Sequence, residues 1–111
     1  MNFRNIDVKK LLNGKMATGR PVDFKIKTGK WHKTISDRKK GSFGEIFVES
    51  AEIVRLGDLS DYEIKRLGYS SLDEYLSEPF NKGMTEDSFK KIIVWSKFKP
   101  KWSVIEQILA K

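Results

Sequence analysis

The residues of this 111-residue chain best suited to chemistry lie close together near its start, as Lys15-x-x-Thr18-x-Arg20 directly after Asn13-Gly14. A threonine hydroxyl becomes a nucleophile when a neighbouring base removes its proton, and a lysine serves as that base once its pKa is lowered. An arginine two residues on can hold a phosphate or an oxyanion through its fork of donors. Spacing alone does not separate such a triplet from ordinary surface residues of a basic loop. It gains meaning only if the fold turns all three side chains into one hollow.

A second pattern interleaves cations with aromatics. Lys25, Lys27, Lys30, Trp31, His32, Lys33, Arg38, Lys39 and Lys40 fall within sixteen positions, and Lys97, Phe98, Lys99, Lys101 and Trp102 form a later cluster. Cations neutralise phosphates and release counterions, while an exposed ring offers a stacking surface for an unpaired base. The pattern therefore marks Arg20, Lys25, Lys27, Lys30, Trp31, Lys33, Arg38, Lys39, Lys40, Lys97 and Lys99 as candidate contacts to RNA or single-stranded DNA. Any one of Trp31, Trp95 and Trp102 is more often a core residue, because large rings dominate burial. The clustering carries the argument, not a single ring.

Composition narrows the alternatives. The 22 basic residues outnumber the 15 acidic ones, for a net charge of +7. They are unevenly spread: residues 1–40 hold 12 Lys/Arg against 3 Asp/Glu, residues 41–81 hold 3 against 9, and residues 82–111 hold 7 against 3. Two basic thirds folded against an acidic middle predict a polarised surface, of the kind that steers a polyanion. A solubilising surface is the plain alternative. A protein-interaction adaptor built on the acidic middle and the Trp102 helix is another. With no cysteine there are no disulfides, thiolate metal sites or cysteine nucleophiles, and a cytoplasmic address is expected. The single histidine, His32, excludes any two-histidine metal site, and no metal or other cofactor is expected. The longest apolar run, Ile92 to Trp95, is far short of a membrane span, and no secretory segment is visible at residues 1–10.

The elements that must position these residues follow from periodicity and caps, within one domain over residues 1–111. Ile6 to Leu12 reads as a short helix stopped by Asn13-Gly14. Lys15 to Pro21 reads as a loop, because its glycine and proline break regular structure. Strict alternation over Val22 to Lys27 predicts a strand, and Trp31 to Ser36 a second, less regular one. Asp37 to Ser42 is a charged loop. Glu45 to Arg55 is the longest strand-like run. Ser60 with Glu63 spells a capping box after the staple residue Leu59, and Gly68 a helix end. Ser71 with Glu74 repeats the box for a second short helix, limited by Pro79. Thr85 is placed to cap a single turn, Lys91 to Phe98 returns to strand character, and Ser103 is placed to cap a last helix over Val104 to Ala110. The expected class is α+β, a small mixed or antiparallel sheet with flanking short helices.

Two blocks of this sequence resemble a known family. Leu11-Leu12-Asn13-Gly14-Lys15-Met16-Ala17-Thr18-Gly19-Arg20 resembles the helix end, Gly, Lys, x, x, Thr, x, Arg of ASCH domains, relatives of the PUA fold. Val54 to Glu63, then Leu67-Gly68-Tyr69-Ser70-Ser71, resembles the strand, "dLtdedA" helix and "GfsS" turn of the same family. The resemblance spans roughly residues 6–98. It implies a small β-barrel-like sheet with helices around a cleft and an RNA-related function. Some members are amidohydrolases acting on acetylated cytidine; by that resemblance Lys15 would be the activating base and Thr18 the nucleophile. Those enzymes carry a glutamate where this chain has Leu67, and an apolar residue where it has Gly19.

Overall fold

The computed structural model describes residues 1–110. Along the chain run α1 (Asn5–Leu12), β1 (Ala17–Arg20), β2 (Lys30–Asp37), β3 (Gly41–Arg55), α2 (Asp61–Leu67), α3 (Leu72–Leu76), β4 (Phe89–Pro100) and α4 (Trp102–Leu109), with 3-10 turns at Leu56–Asp58 and Pro79–Asn81. The class is α+β. The four strands form one antiparallel sheet in the order β1-β4-β3-β2. Of the mixed or antiparallel sheet expected, the strands realise the antiparallel form, with one parallel contact in the isolated bridge between Asn2 and Ile35. Register shifts on either side of Val48 bend the long β3–β4 pair, as bulges do, and curl the sheet into a half-barrel.

The first residues of the chain span the open side of that half-barrel. Ile35 N donates to Met1 O and Phe3 N to Ile35 O, both at 2.8 Å, which ties residues 1–3 to the β2 edge. From the opposite edge, Arg20 Nη2 on β1 donates to Asn2 O at 2.6 Å.

Both faces of β4 are buried, so its central residues read as a continuous apolar run instead of an alternating one. Ile93 and Trp95 join Phe3, Val8, Phe43, Ile46, Val48 and Ile105 under α1 and α4. Ile92 and the half-buried Val94 belong instead with Leu56, Ile64, Leu67, Tyr69 and Tyr75 under α2 and α3. The capping chemistry of α2 is as the sequence spells it: Ser60 Oγ accepts from Glu63 N at 3.1 Å and Glu63 Oε1 accepts from Ser60 N at 3.0 Å. Gly68 ends the helix at φ 96°, a conformation that favours glycine. At α3 only half of the box forms. Ser71 Oγ accepts from Glu74 N, while the Glu74 carboxylate accepts from Ser70 Oγ at 2.7 Å.

Three local expectations are corrected. Val22–Lys27 is not a strand: Phe24 N donates to Pro21 O at 2.9 Å in a turn, and the segment runs on irregularly to β2. Its alternation arises because Phe24 and Ile26 tuck against the α1–α4 core while Val22 stays exposed. The strand lies earlier, at Ala17–Arg20, inside the stretch expected to be a loop. Glycine is required at position 19 because a Cβ there would collide with the Tyr75 hydroxyl. The last helix starts at Trp102, after Lys101, so Ser103 is not its cap. Thr85 does cap a single turn, its Oγ1 accepting from Asp87 N at 3.1 Å. No helix among the described residues is long and apolar enough to cross a membrane.

Candidate functional site

Gly14, at φ 103°, reverses the chain after α1 and sends Lys15 back beneath the helix. Edge strand β1 then brings Thr18 and Arg20 to the same place. Lys15, Thr18 and Arg20 all line one cavity of about 400 Å³, together with Arg4, Asp7 and Lys90 and the rings of Phe3, Tyr69, Tyr75 and Phe80.

Lys15 is 6% exposed. Its Nζ donates to Leu67 O. Burial lowers its pKa to about 8, against the opposing pull of Asp7 and with help from Lys10, Arg20 and Arg4. Thr18 is equally buried, and its Oγ1 accepts from Arg20 Nη1 at 3.4 Å. The guanidinium of Arg20 lies 5.4 Å from the Phe3 ring centre and 5.9 Å from that of Phe24. Burial lowers the Arg20 pKa, but an arginine remains charged.

Three partners of the triplet were not singled out from the sequence. Lys90 is 4% exposed. Its Nζ donates to Asn81 Oδ1 at 2.7 Å, and Asn81 Nδ2 donates to Tyr75 O at 2.8 Å. Burial, reinforced by Arg20, lowers the Lys90 pKa to about 8. Tyr75 is 1% exposed, and its hydroxyl has no hydrogen-bond partner among the described residues. Burial pushes its pKa up to about 12, against the opposing pull of the nearby Asn81 amide and of Arg20. Asp7 receives Arg4 Nε at 3.0 Å. Burial favours its neutral form, yet the Arg4 hydrogen bonds and the charges of Lys15 and Arg4 hold it below the ordinary carboxylate value. The sequence signal for Lys90 was a lysine two places before Ile92, on the same face of a strand buried on both sides.

Leu67, where the ASCH enzymes that the sequence resembles carry a glutamate, contributes no carboxylate. The Leu67 side chain is fully buried in the α2–α3 core, and only its carbonyl reaches Lys15. Glu63 caps α2 and Glu74 bonds Ser70, so neither lines the cavity. Glu78 accepts from Arg4 Nη2 at 2.6 Å and from the Tyr69 hydroxyl at 2.7 Å, and so braces the rim. A second depression, of about 570 Å³, shares Lys15 and Tyr69 with the cavity and adds Lys10, Tyr62, Lys65 and Arg66. Lys10 Nζ sits 3.6 Å from the Tyr69 ring centre, and the Arg66 guanidinium 5.6 Å from that of Tyr62.

The remaining candidates fall into separate places. Trp31 meets Phe47 edge-to-face at 5.5 Å, Lys99 Nζ lies 4.2 Å from the Trp31 ring centre, and Lys97 Nζ lies 5.6 Å from that of Phe47. Phe47 alternates with the fully buried Ile46 and Val48, so this group occupies the face turned away from the α1–α4 core. Lys33 and Lys99 flank Glu45 on the neighbouring strands. Residues from the first and last thirds thus meet, but toward the β2 edge, whereas the cavity lies at the β1 edge. Lys25 and Lys27 are exposed on the irregular segment, and Lys30 is exposed at the start of β2. Arg38 and Lys39 are exposed in the β2–β3 turn, while Lys40 Nζ donates to Gln107 O at 3.3 Å. Of the residues proposed from charge clustering, Arg20 alone lines the cavity. No protein-family model, no curated protein and no solved structure matches the chain.

Proposed function

We propose that this protein binds single-stranded RNA in the cytoplasm and takes one unpaired nucleotide into the cavity at the β1 edge. The observation that carries this is the joint presence, in one hollow, of aromatic walls and of buried cations. Rings offer stacking to any base, and cations answer a phosphate. The neighbouring depression extends the positive lining through Lys10, Lys65 and Arg66, along which flanking phosphates would run. Trp31, Phe47, Lys97 and Lys99 offer a second stacking and phosphate-binding face for a longer strand. In this reading the chain is a PUA-like, ASCH-type domain, a reading supported by the curled sheet and by the meeting of Lys15, Thr18 and Arg20. The test is fluorescence anisotropy with labelled single-stranded RNA, single-stranded DNA and duplex over a salt series. Single-stranded RNA should bind best, with affinity falling steeply as salt rises, and Arg20→Ala should weaken it about tenfold, the loss of one charge-assisted contact. Salt-independent binding, or an Arg20→Ala variant that binds like the wild type, would sink the proposal.

One observation favours a second reading, hydrolysis of an acetylated cytidine: Lys15, with its pKa lowered to about 8, shares the cavity with Thr18. In that reaction Thr18 Oγ attacks the acetyl carbonyl as neutral Lys15 takes its proton. The proton returns to the departing cytidine amine, and water then releases acetate from the threonine ester. Release of cytidine by the wild type, abolished in Thr18→Ala, would select this reading; RNA retained without turnover selects the binding module.

A further inference from the structure

The charges of the cavity do not balance within the protein. Arg4 is answered twice, by Asp7 at 3.0 Å and by Glu78 at 2.6 Å. Lys15, Arg20 and Lys90 form no ion pair among the described residues: each donates to a neutral oxygen, of Leu67, Asn2 or Asn81. Asp7 acts on Lys15 and Arg20 through space but is itself bonded to Arg4, so the hollow keeps an excess of positive charge, two of its cations buried and Arg20 half-buried, which an anion from outside the fold would answer. Beside Lys90, the Tyr75 hydroxyl is buried at the cavity wall with its proton undonated, against the bare Cα of Gly19. The Asn81 amide fixes this pair in place, accepting from Lys90 and donating to the backbone of Tyr75.

We infer that Lys90 and Tyr75, with Arg20 and Lys15, form a subsite for a terminal phosphate monoester, so that the nucleotide taken into the cavity is the phosphorylated end of an RNA strand. This rests on the RNA reading above. An internal phosphodiester brings one negative charge and two free oxygens. A monoester brings nearly two charges at neutral pH and three strong acceptor oxygens, the better match to three cations that form no ion pair and one hydroxyl with its proton undonated. Either the 5′ or the 3′ end supplies that chemistry.

The experiment compares one short RNA sequence in three forms, with a 5′-phosphate, with a 3′-phosphate and with hydroxyls at both ends, by competition against a labelled strand. One phosphorylated form should bind about tenfold tighter than the hydroxyl form, and which form wins identifies the end. In Tyr75→Phe and Lys90→Met that ratio should fall toward unity. Equal binding of all three forms overturns the end-recognition inference and leaves the RNA reading standing. A phosphate advantage that survives in both variants overturns the subsite. Binding of a nucleoside monophosphate with none of any RNA would overturn the RNA reading while upholding the monoester site.

Discussion

Lys15 shows how one buried side chain makes the stability of the whole protein depend on pH. Its folded pKa, about 8, lies below the ordinary lysine value of 10.5. Between those values the unfolded chain binds more protons than the folded one, so stability rises as pH rises through the interval. Lys90 acts in the same direction. Tyr75 reverses the trend once its hydroxyl ionises more readily in the unfolded chain, from about pH 10. Denaturant unfolding at pH 7.5, 8.5 and 9.5 should therefore show increasing stability, about 2 kcal/mol of it from Lys15 across that span, with Lys90 adding in the same direction. Lys15→Met should remove its share of the rise; an unaltered slope in that variant would show that the ammonium is not desolvated. At this scale the triplet was legible from residue types, but Lys90 and Tyr75 were not. Their importance comes from burial against Gly19, far away in the chain, and from the Asn81 amide that holds both.

Among the elements, those written by local chemistry were legible and those decided by tertiary contact were not. The Ser60–Glu63 box and the Gly68 stop place α2 within a residue, because both halves of each signal lie within one turn of helix. Strand β1 was hidden because glycine and proline argue against a strand. Here Gly19 is demanded by Tyr75, and Pro21 follows the last paired residue. The apparent strand at Val22–Lys27 misled for the converse reason, two core-seeking side chains on an irregular path. Helix α2 also shows why charge totals hid part of the basic lining: Lys65 and Arg66 lie in the acidic third, yet they border the depression next to Lys15. Lys65→Glu should weaken RNA binding about tenfold and lower the salt slope by about one. Lys39→Ala, in the remote β2–β3 turn, should change both less. The reverse order, read by anisotropy over a salt series, would move the strand's path to the β2 edge.

At the scale of the whole molecule, the half-barrel is completed by a few hydrogen bonds. Residues 1–3 are fastened to Ile35 by backbone bonds on one side and to Arg20 by a single guanidinium on the other. Arg20→Ala should therefore raise hydrogen exchange at the amides of Phe3 and Ile35 while leaving the β3–β4 ladder protected. Exchange unchanged at both amides would show that the closure does not depend on Arg20. The same guanidinium is a proposed ligand contact, so it serves two claimants. A phosphate that draws Nη2 to its own oxygen takes it from Asn2, and the clasp of the hoop slackens as the hollow fills. Cargo and girth are then coupled through one side chain, and a strand held at one edge of the sheet would be felt as looser backbone at the other.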